Sequence, residues 1–359
     1  MRDVTTEIVA GGDIDKDLIL DEGRYPVIAN ALTNDGIVGY YNTDYRIEAP
    51  AVTVTGRGDV GHAKARIVDF TPVVRLLSIK SYHDVFFLEN AINTLKIVIE
   101  STGVPQLTVP QLAKYEISFP KSLDEEEKIG NFFCTIDNLI TLHQRKLDKM
   151  KELKKAFLNL IFSQKLRFYG FTESWELRKL PEFVNFYSGL TYTPDNVQES
   201  GTLVLRSSNV KNGEIIDADN VYVNIDIVNS ENVQDGDIIV VIRNGSRALI
   251  GKHAQIKGFR SNTVIGAFMT GIRSEHPAFV NALLDTPAFE IEIAKNLGAT
   301  INQITGYMFS KMEFAIPSSK EQIEIGKFFL NLDNLITLHQ KKIDSSKEMK
   351  KILLKNMLI

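Results

Sequence analysis

The sequence predicts an α+β protein in which two mixed α/β globular blocks are separated by two long antiparallel coiled-coil helices, with pseudo-twofold duplication. Three observations lead to this fold class. A 20-residue segment recurs 196 positions later, and both copies carry a heptad pattern. Runs of β-branched residues, separated by Gly, Asn and Asp turns, fill the stretches before each copy. The 359 residues suffice for about two domains.

The repeat is the strongest of these signals. Ile129–Asp148 returns as Ile325–Asp344, and 14 of the 20 positions are identical. The copies lie too far apart for a solenoid, so they indicate a duplicated half. In both copies apolar residues alternate at spacings of three and four, which predicts two helices of roughly 39 residues and about 58 Å each.

Each predicted coiled-coil seam also contains polar residues. His143 and His339 occupy matching seam positions, and we interpret them mainly as residues that set the register of the helix pair. Metal ligation is the alternative, although no carboxylate or cysteine shares their spacing.

The repeat divides the chain into four regions of alternating charge. Basic and acidic side chains number 11 and 16 in the first region, 10 and 7 in the second, 12 and 17 in the third, and 8 and 5 in the fourth. Two acidic globular blocks therefore alternate with two basic helices. The regions are a first block at 1–120, a central helix at 121–168, a second block at 169–316 and a distal helix at 317–359.

The two blocks also correspond to each other, more faintly. Val52–Lys64 and Ile239–Ala254 each contain a β-rich run, a glycine-containing turn, a basic residue and a His beside an Ala. Tyr115–Pro120 matches Met312–Pro317 as a predicted strand that ends in proline before each long helix. Helices are predicted within Val85–Ser101 and Pro277–Leu297, and strands within Val73–Ile79 and Ile238–Ile242.

Composition excludes several classes of protein. Hydrophobic residues make up 44% and charged residues 24%, as in ordinary globular proteins. No run approaches the roughly 18 apolar residues of a membrane span. The first residues lack the build of a signal peptide, and the one cysteine, Cys134, cannot form an internal disulfide. We therefore expect a cytoplasmic protein without a cysteine-based zinc site.

Two glycine-rich strings resemble nucleotide-binding motifs but lack their context. Gly56–Gly61 fits the dinucleotide fingerprint, yet a strand-like segment follows where a helix should begin. Gly245–His253 has five residues between its glycines, and His stands where a phosphate loop needs Ser or Thr. No protease, hydrolase or amino-methyltransferase motif occurs, so the chain is predicted to bind rather than catalyse.

Several segments resemble one known family, the specificity subunits of type I restriction-modification systems. The similarity covers nearly the whole chain. It includes a linker that precedes the second block and the repeated Leu-Asp-Asn-Leu-Ile-Thr-Leu-His-Gln-Lys-Lys segment. The other matching segments are Lys165–Leu180, Leu205–Glu214, Asp235–Ile239 and Ile316–Gln322.

The resemblance implies two target-recognition domains, each reading one half of a split double-stranded DNA sequence, with an antiparallel helix pair as spacer. It implies that two methyltransferase subunits, which bring S-adenosylmethionine, dock on the helices. Restriction subunits, which bring ATP and magnesium, would join that core. This chain itself would hold no cofactor and no catalytic residue. The helix residues expected to face partners are Leu139, His143, Leu147, Leu335, His339 and Ile343.

The basic turns are the candidate DNA contacts, because Arg and Asn suit bidentate contacts to guanine and adenine. The structural alternative, local loop bonding, stays open for each residue. The first block differs from the family pattern, since it opens near Val4 without a counterpart of Trp175–Phe183, and we expect it to be N-terminally short. The candidates are Arg57, His62, Lys64, Arg66, Arg206, Asn209, Arg243, Asn244, Arg247, Lys252 and His253.

Two other functions remain open from the sequence. One is an enzyme, a nuclease or methyltransferase, with an unrecognised site. The other is a helical scaffold that recruits protein partners and binds no DNA, and it predicts no salt-dependent DNA affinity.

Overall fold

The computed structural model describes residues 1, 5–98, 105–258, 260–297 and 302–358, and the chain forms two compact units. The first unit contains Met1–Arg145 and His339–Ile359, and the second contains Lys146–Leu338. Each unit therefore comprises one globular block together with part of each long helix. The four regions predicted from the sequence have different boundaries from these two units, because the sequence analysis counted each long helix as a separate region.

The first block combines a four-stranded antiparallel sheet, a three-stranded sheet and two short helices within its described residues. The four strands stand in the order β1-β7-β4-β5, and the other sheet has the order β3-β2-β6. The long helix α3 (Leu123–Phe162) follows the block. The other elements are β1 (Glu7–Ala10), β2 (Tyr25–Ile28), β3 (Ile37–Tyr41), β4 (Ala51–Val54), β5 (Ala63–Arg66), β6 (Thr71–Pro72), β7 (Leu77–Lys80), α1 (Val85–Thr94) and α2 (Val109–Ala113).

The second block repeats this plan with additional strands. Its strands are β8 (Glu176–Lys179), β9 (Asn185–Ser188), β10 (Val197–Gln198), β11 (Thr202–Leu205), β12 (Val210–Lys211), β13 (Glu214–Ile215), β14 (Val221–Val223), β15 (Ile238–Val241), β16 (His253–Gln255), β17 (Thr263–Ile265), β18 (Met269–Arg273) and β19 (Glu313–Ile316). Its helices are α4 (Pro277–Leu284), α5 (Pro287–Asn296) and α6 (Gly306–Lys311), and the long helix α7 (Ser319–Met357) follows.

Sheet topology confirms the duplication. The order β1-β7-β4-β5 of the first block corresponds to β9-β18-β15-β16 of the second, and all neighbours are antiparallel in both. The smaller sheets correspond as well, since β2 pairs with β6 and β11 pairs with β17 in parallel. The α+β fold class predicted from the sequence is thus observed.

Three element predictions need correction. The helix predicted at Val85–Ser101 ends at Thr94, and residues 99–101 lie outside the described part. The segment Pro277–Leu297 is two helices, because Pro287 starts a new first turn that the Thr286 hydroxyl caps. β19 pairs with β8, whereas residues 115–119 form no strand, since no neighbouring strand supplies their hydrogen bonds among the described residues.

The two long helices are confirmed, with 40 residues in α3 and 39 in α7. In the first unit Lys350 Nζ lies 2.7 Å from Asp137, and His143 Nδ1 lies 3.0 Å from His339 Nδ1. In the second unit Lys154 Nζ lies 2.5 Å from Asp333. The residue numbers run in opposite directions, so the helices pair antiparallel within each unit. No helix in the described ranges is long and apolar enough to span a membrane.

Each long helix carries a glycine where a short helix approaches it. A Cβ on Gly130 would meet the Asp84 carboxylate and lie 2.8 Å from the Phe87 amide. A Cβ on Gly326, at the matching position of α7, would lie 2.8 Å from the Phe279 amide. The first turns of α1 and α4 can therefore lie directly on the long helices.

A partly buried ionic cluster joins α3 and α7 to the second block. Lys154 bonds Asp285 at 2.6 Å in addition to Asp333, and His253 Nε2 lies 3.4 Å from Asp285. Burial alone would raise the pKa of Asp285, yet His253 and Lys154 outweigh it and hold that pKa well below its usual range. Burial opposes a charge on His253, but the Asp285 carboxylate raises its pKa overall.

Replacing Gly130 with alanine should destabilise the chain. The added methyl group has no space against α1, and such overpacking costs about 1–3 kcal/mol in the free energy of unfolding. Chemical denaturation measures the difference. Gly306→Ala is the matched control, because nothing lies within 4 Å of its Cβ position and it begins a helix. Equal stabilities of the two variants would contradict the close contact at Gly130.

The His253–Asp285 bond should make stability depend on pH. The folded chain raises the pKa of His253 above 6.5. The contribution of the His253–Asp285 bond to the free energy of unfolding is therefore complete below about pH 6.5, and it is lost as the pH rises through the raised pKa. The difference in unfolding free energy between wild type and His253→Gln should therefore shrink as the pH rises above about 6.5 and through the raised pKa of His253. His276→Gln is the control, because that ring bonds the Ser319 hydroxyl instead of a carboxylate. A difference independent of pH would refute the ionic role of His253.

Candidate nucleic-acid interface

The basic turns of the two blocks are structurally equivalent. Arg57 forms an antiparallel bridge with Gln106 in the first block, and Arg243 forms the same bridge with Gln303 in the second. Both arginines are exposed and follow the strands β4 and β15, which occupy equivalent places in their sheets. The arginine is thus the common feature of both turns.

Strand register corrects one residue pairing inferred from the sequence. The Thr55 amide donates to the His62 carbonyl, and the Val241 amide donates to the Lys252 carbonyl. His62 therefore corresponds to Lys252, and His253 corresponds to the next residue of the first block. The sequence match is shifted by one, since it aligned the two His-Ala pairs.

The first turn presents three exposed basic side chains, Arg57, His62 and Lys64. The Lys64 ammonium lies 3.8 Å from Glu89, and the Lys64 side chain is accessible at the surface. Arg66 is half-buried, its Nε donates to the Thr53 hydroxyl at 3.0 Å, and burial lowers its pKa. It lines a cavity of about 320 Å³ together with His62 and Lys64. Three basic side chains therefore face solvent here and a fourth lies just beneath.

The second turn also presents basic residues to solvent. Arg243, Arg247 and Lys252 are exposed, and the Arg243 guanidinium lies 5.0 Å from the centroid of the Phe268 ring. Arg247 donates to the Leu297 carbonyl at 3.4 Å. The Asn244 amide donates to the Ser207 hydroxyl at 3.0 Å, so it shapes the turn and is committed to an internal bond.

Three predicted DNA contacts are committed to structural roles. Asn209 is 0% exposed, and its amide donates to the Ala218 carbonyl at 2.8 Å and to Asn220 at 2.9 Å. Arg206 is half-buried and pairs with Asp219 at 2.7 Å. His253 is buried in the ionic cluster with Asp285. We therefore remove these residues from the candidate interface, because Asn209 and His253 are buried and the terminal guanidinium nitrogen of Arg206 is paired with Asp219.

The helix residues expected to face partners separate into two groups. Leu139 and Leu335, at matching positions of the repeat, are 48% and 45% exposed. Leu147 and Ile343, also at matching positions, are buried and belong to the interior of the coiled coil. His143 and His339 bond each other on the seam. Only the first pair remains available for docking.

The structure adds surface residues that the sequence analysis missed. Leu142 and Leu338 are exposed beside Leu139 and Leu335, and all four lie off the heptad seam in the identical core of the repeat. That combination was a usable signal, because a leucine repeated off the seam has no reason inside the coiled coil. No sequence pattern identified Phe268 or Arg75, since only the fold brings them to the basic turns.

No group of three or more His, Cys, Asp or Glu side chains in the described residues is arranged to hold a metal ion.

Known proteins match this chain over most of its length. A family profile described as "Type I restriction modification DNA specificity domain" matches residues 3–152 and 172–347. The MjaVIII type I restriction enzyme specificity subunit of Methanocaldococcus jannaschii is 22% identical over 361 residues, which cover 92% of this chain and 84% of that protein. The EcoKI specificity subunit of Escherichia coli is 24% identical over 184 residues, 49% of this chain and 38% of that protein.

A solved structure shares the fold. The type I restriction-modification S subunit from M. genitalium superposes with a TM-score of 0.77 at 16% identity, covering 100% of this chain and 94% of that chain. The family profile matches twice, once across each globular block. This chain therefore belongs to the type I restriction-modification DNA specificity family, as a specificity subunit with two recognition domains.

Proposed function

We propose that this chain selects the DNA target of a type I restriction-modification complex, with each block reading one half of a bipartite sequence. One observation carries the proposal. An exposed arginine recurs at the equivalent turn of both blocks, as Arg57 in the first and Arg243 in the second. Two copies of one surface in one chain suit a target made of two separated half-sites.

The chemistry of the two turns supports DNA as the ligand. Exposed basic side chains attract the phosphate backbone and orient each block on the duplex without reading sequence. An arginine that reaches the major groove can bond both acceptors of a guanine. The acidic net charge of −4 does not oppose this, because the positive potential is concentrated at the turns.

The repeated leucines support a second part of the proposal, docking of two methyltransferase subunits on the helices. Leu139 and Leu142 recur as Leu335 and Leu338, so one kind of partner surface is offered twice. Exposed leucines in a repeated cluster favour protein contact over solvent exposure. We assign adenine methylation with S-adenosylmethionine to these partners, and cleavage with ATP and magnesium to restriction subunits.

In this mechanism the chain contributes recognition and geometry, and it supplies no reacting group. The basic turns hold the duplex, the arginines choose the half-sites, and the helices carry the methyltransferases. A scaffold that binds no DNA is the competing function, since the leucines alone would suit it equally well.

Sequencing of methylated bases in cells that carry the gene and its methyltransferase partner tests the proposal. The intact gene should produce one bipartite methyladenine motif that disappears on deletion of the gene.

Arg57→Ala should weaken methylation through one half-site, because it removes a contact from one block only. A motif that persists without the gene would count against DNA selection, and stable partner binding without salt-dependent DNA affinity would favour the scaffold.

Charging the leucine surface should release the methyltransferase. Leu139→Asp combined with Leu335→Asp places a carboxylate at the centre of each proposed docking site, and buried unpaired charge opposes association. Co-purification of the full-length chain with its methyltransferase measures the loss. Leu18→Asp is the control, because Leu18 is an exposed leucine outside the two long helices. Equal recovery of the partner by both variants would exclude this surface.

A further inference from the structure

Arg243 and Phe268 form a paired feature at the surface of the second block. The guanidinium carbon lies 5.0 Å from the ring centroid, and the Phe268 side chain is 55% exposed. The amides of Ile242 and Arg243 both donate to the Phe268 carbonyl, at 3.0 and 3.2 Å. The backbone therefore holds the aromatic ring beside the arginine.

The turn that carries Arg243 is braced on both sides. The Asn244 side chain accepts from the Ser246 amide at 2.9 Å and donates to the Ser207 hydroxyl at 3.0 Å. On the other side the Asn302 amide group donates to the Gly245 carbonyl at 3.0 Å. The hydrogen bonds of this turn fix the backbone position of Arg243. The Phe268 ring then limits the directions that the Arg243 side chain can take.

Three other arginines of this block are paired with carboxylates. Arg206 pairs with Asp219, Arg273 pairs with Asp237 and Glu231, and Arg178 pairs with Glu176. Among the described residues no carboxylate lies within ion-pair distance of Arg243. Its guanidinium rests over a ring instead, an arrangement that keeps the positive charge and leaves donors at its edge.

We propose that Arg243 reads a guanine in the half-site of the second block, and that Phe268 is the positioning residue that holds the guanidinium for this contact. The inference rests on the proposed function and names the base that this site selects. The guanidinium edge matches the O6 and N7 acceptors of guanine, and stacking lowers the rotamer freedom lost on binding. A cavity of about 540 Å³ beside the ring, lined by Thr191, Ser207 and Ser208, offers hydroxyl groups to the adjoining backbone.

The first block lacks this device, although its arginine is equivalent. Val54 pairs with Leu77 in the first block as Val240 pairs with Thr270 in the second. Arg75 and Phe268 each lie two residues before that partner, so Arg75 occupies the place of Phe268. The Arg75 guanidinium donates to the Gln106 side chain. No aromatic ring of the described residues lies under the Arg57 guanidinium, so substitutions of Phe268 should act on one half-site only.

The test compares full-length variants assembled with the methyltransferase, using a DNA library that contains every single-base change in the wild-type motif. Arg243→Lys removes the bidentate fork but keeps the charge, so discrimination at one guanine should fall roughly tenfold or more. Phe268→Leu should relax the same position to a smaller extent. Phe268→Tyr should restore it, because a ring face is present again. Arg57→Lys should leave that position unchanged.

Other results would overturn the inference. A uniform loss of affinity across all sequences in Arg243→Lys would identify a phosphate contact, and relaxation at a base other than guanine would exclude the assignment. Equal behaviour of Phe268→Leu and Phe268→Tyr would exclude positioning by the ring. A wild-type complex without any bipartite motif would overturn the proposed function, and the guanine assignment with it.

Discussion

The register of the two long helices depends on two partly buried ion pairs, Lys154 with Asp333 and Lys350 with Asp137. The two lysines lie 196 positions apart, as do the two aspartates, so the duplicated sequence supplies both partners of both pairs. A heptad seam by itself tolerates slippage by whole repeats, because leucines and isoleucines pack against one another in several registers. A slipped helix pair would leave lysine and aspartate without partners in a partly desolvated seam, which opposes the slip.

One of these pairs also connects the helices to a globular block. In the second unit Lys154 also bonds Asp285, and the core of that block includes Leu158 and Ile161 of α3 and Phe329 of α7. In the first unit Gly130 lets the first turn of α1 approach α3. Small residues at the contact and charges beside it fix how each block sits on its own part of the helix pair. The turns that carry Arg57 and Arg243 inherit their positions from this packing.

Duplication explains what the two recognition domains share, and one difference between them lies beside the basic turns. The sheets, the bridging glutamines and the arginines correspond, whereas Phe268 of the second block is replaced by Arg75 in the first. A change at the edge of a braced turn costs the fold little, because the sheet beneath carries the stability.

The sequence by itself determined the fold class, the duplication and both long helices, because a repeat and a heptad pattern are properties of residue order. It also located the basic turns. Only the tertiary structure decided that Asn209 and His253 are internal and that the Arg243 guanidinium lies over the Phe268 ring. The physical reason is that burial and partner choice depend on contacts between residues far apart in the chain. Residue type and spacing alone do not predict which of these distant residues will be in contact.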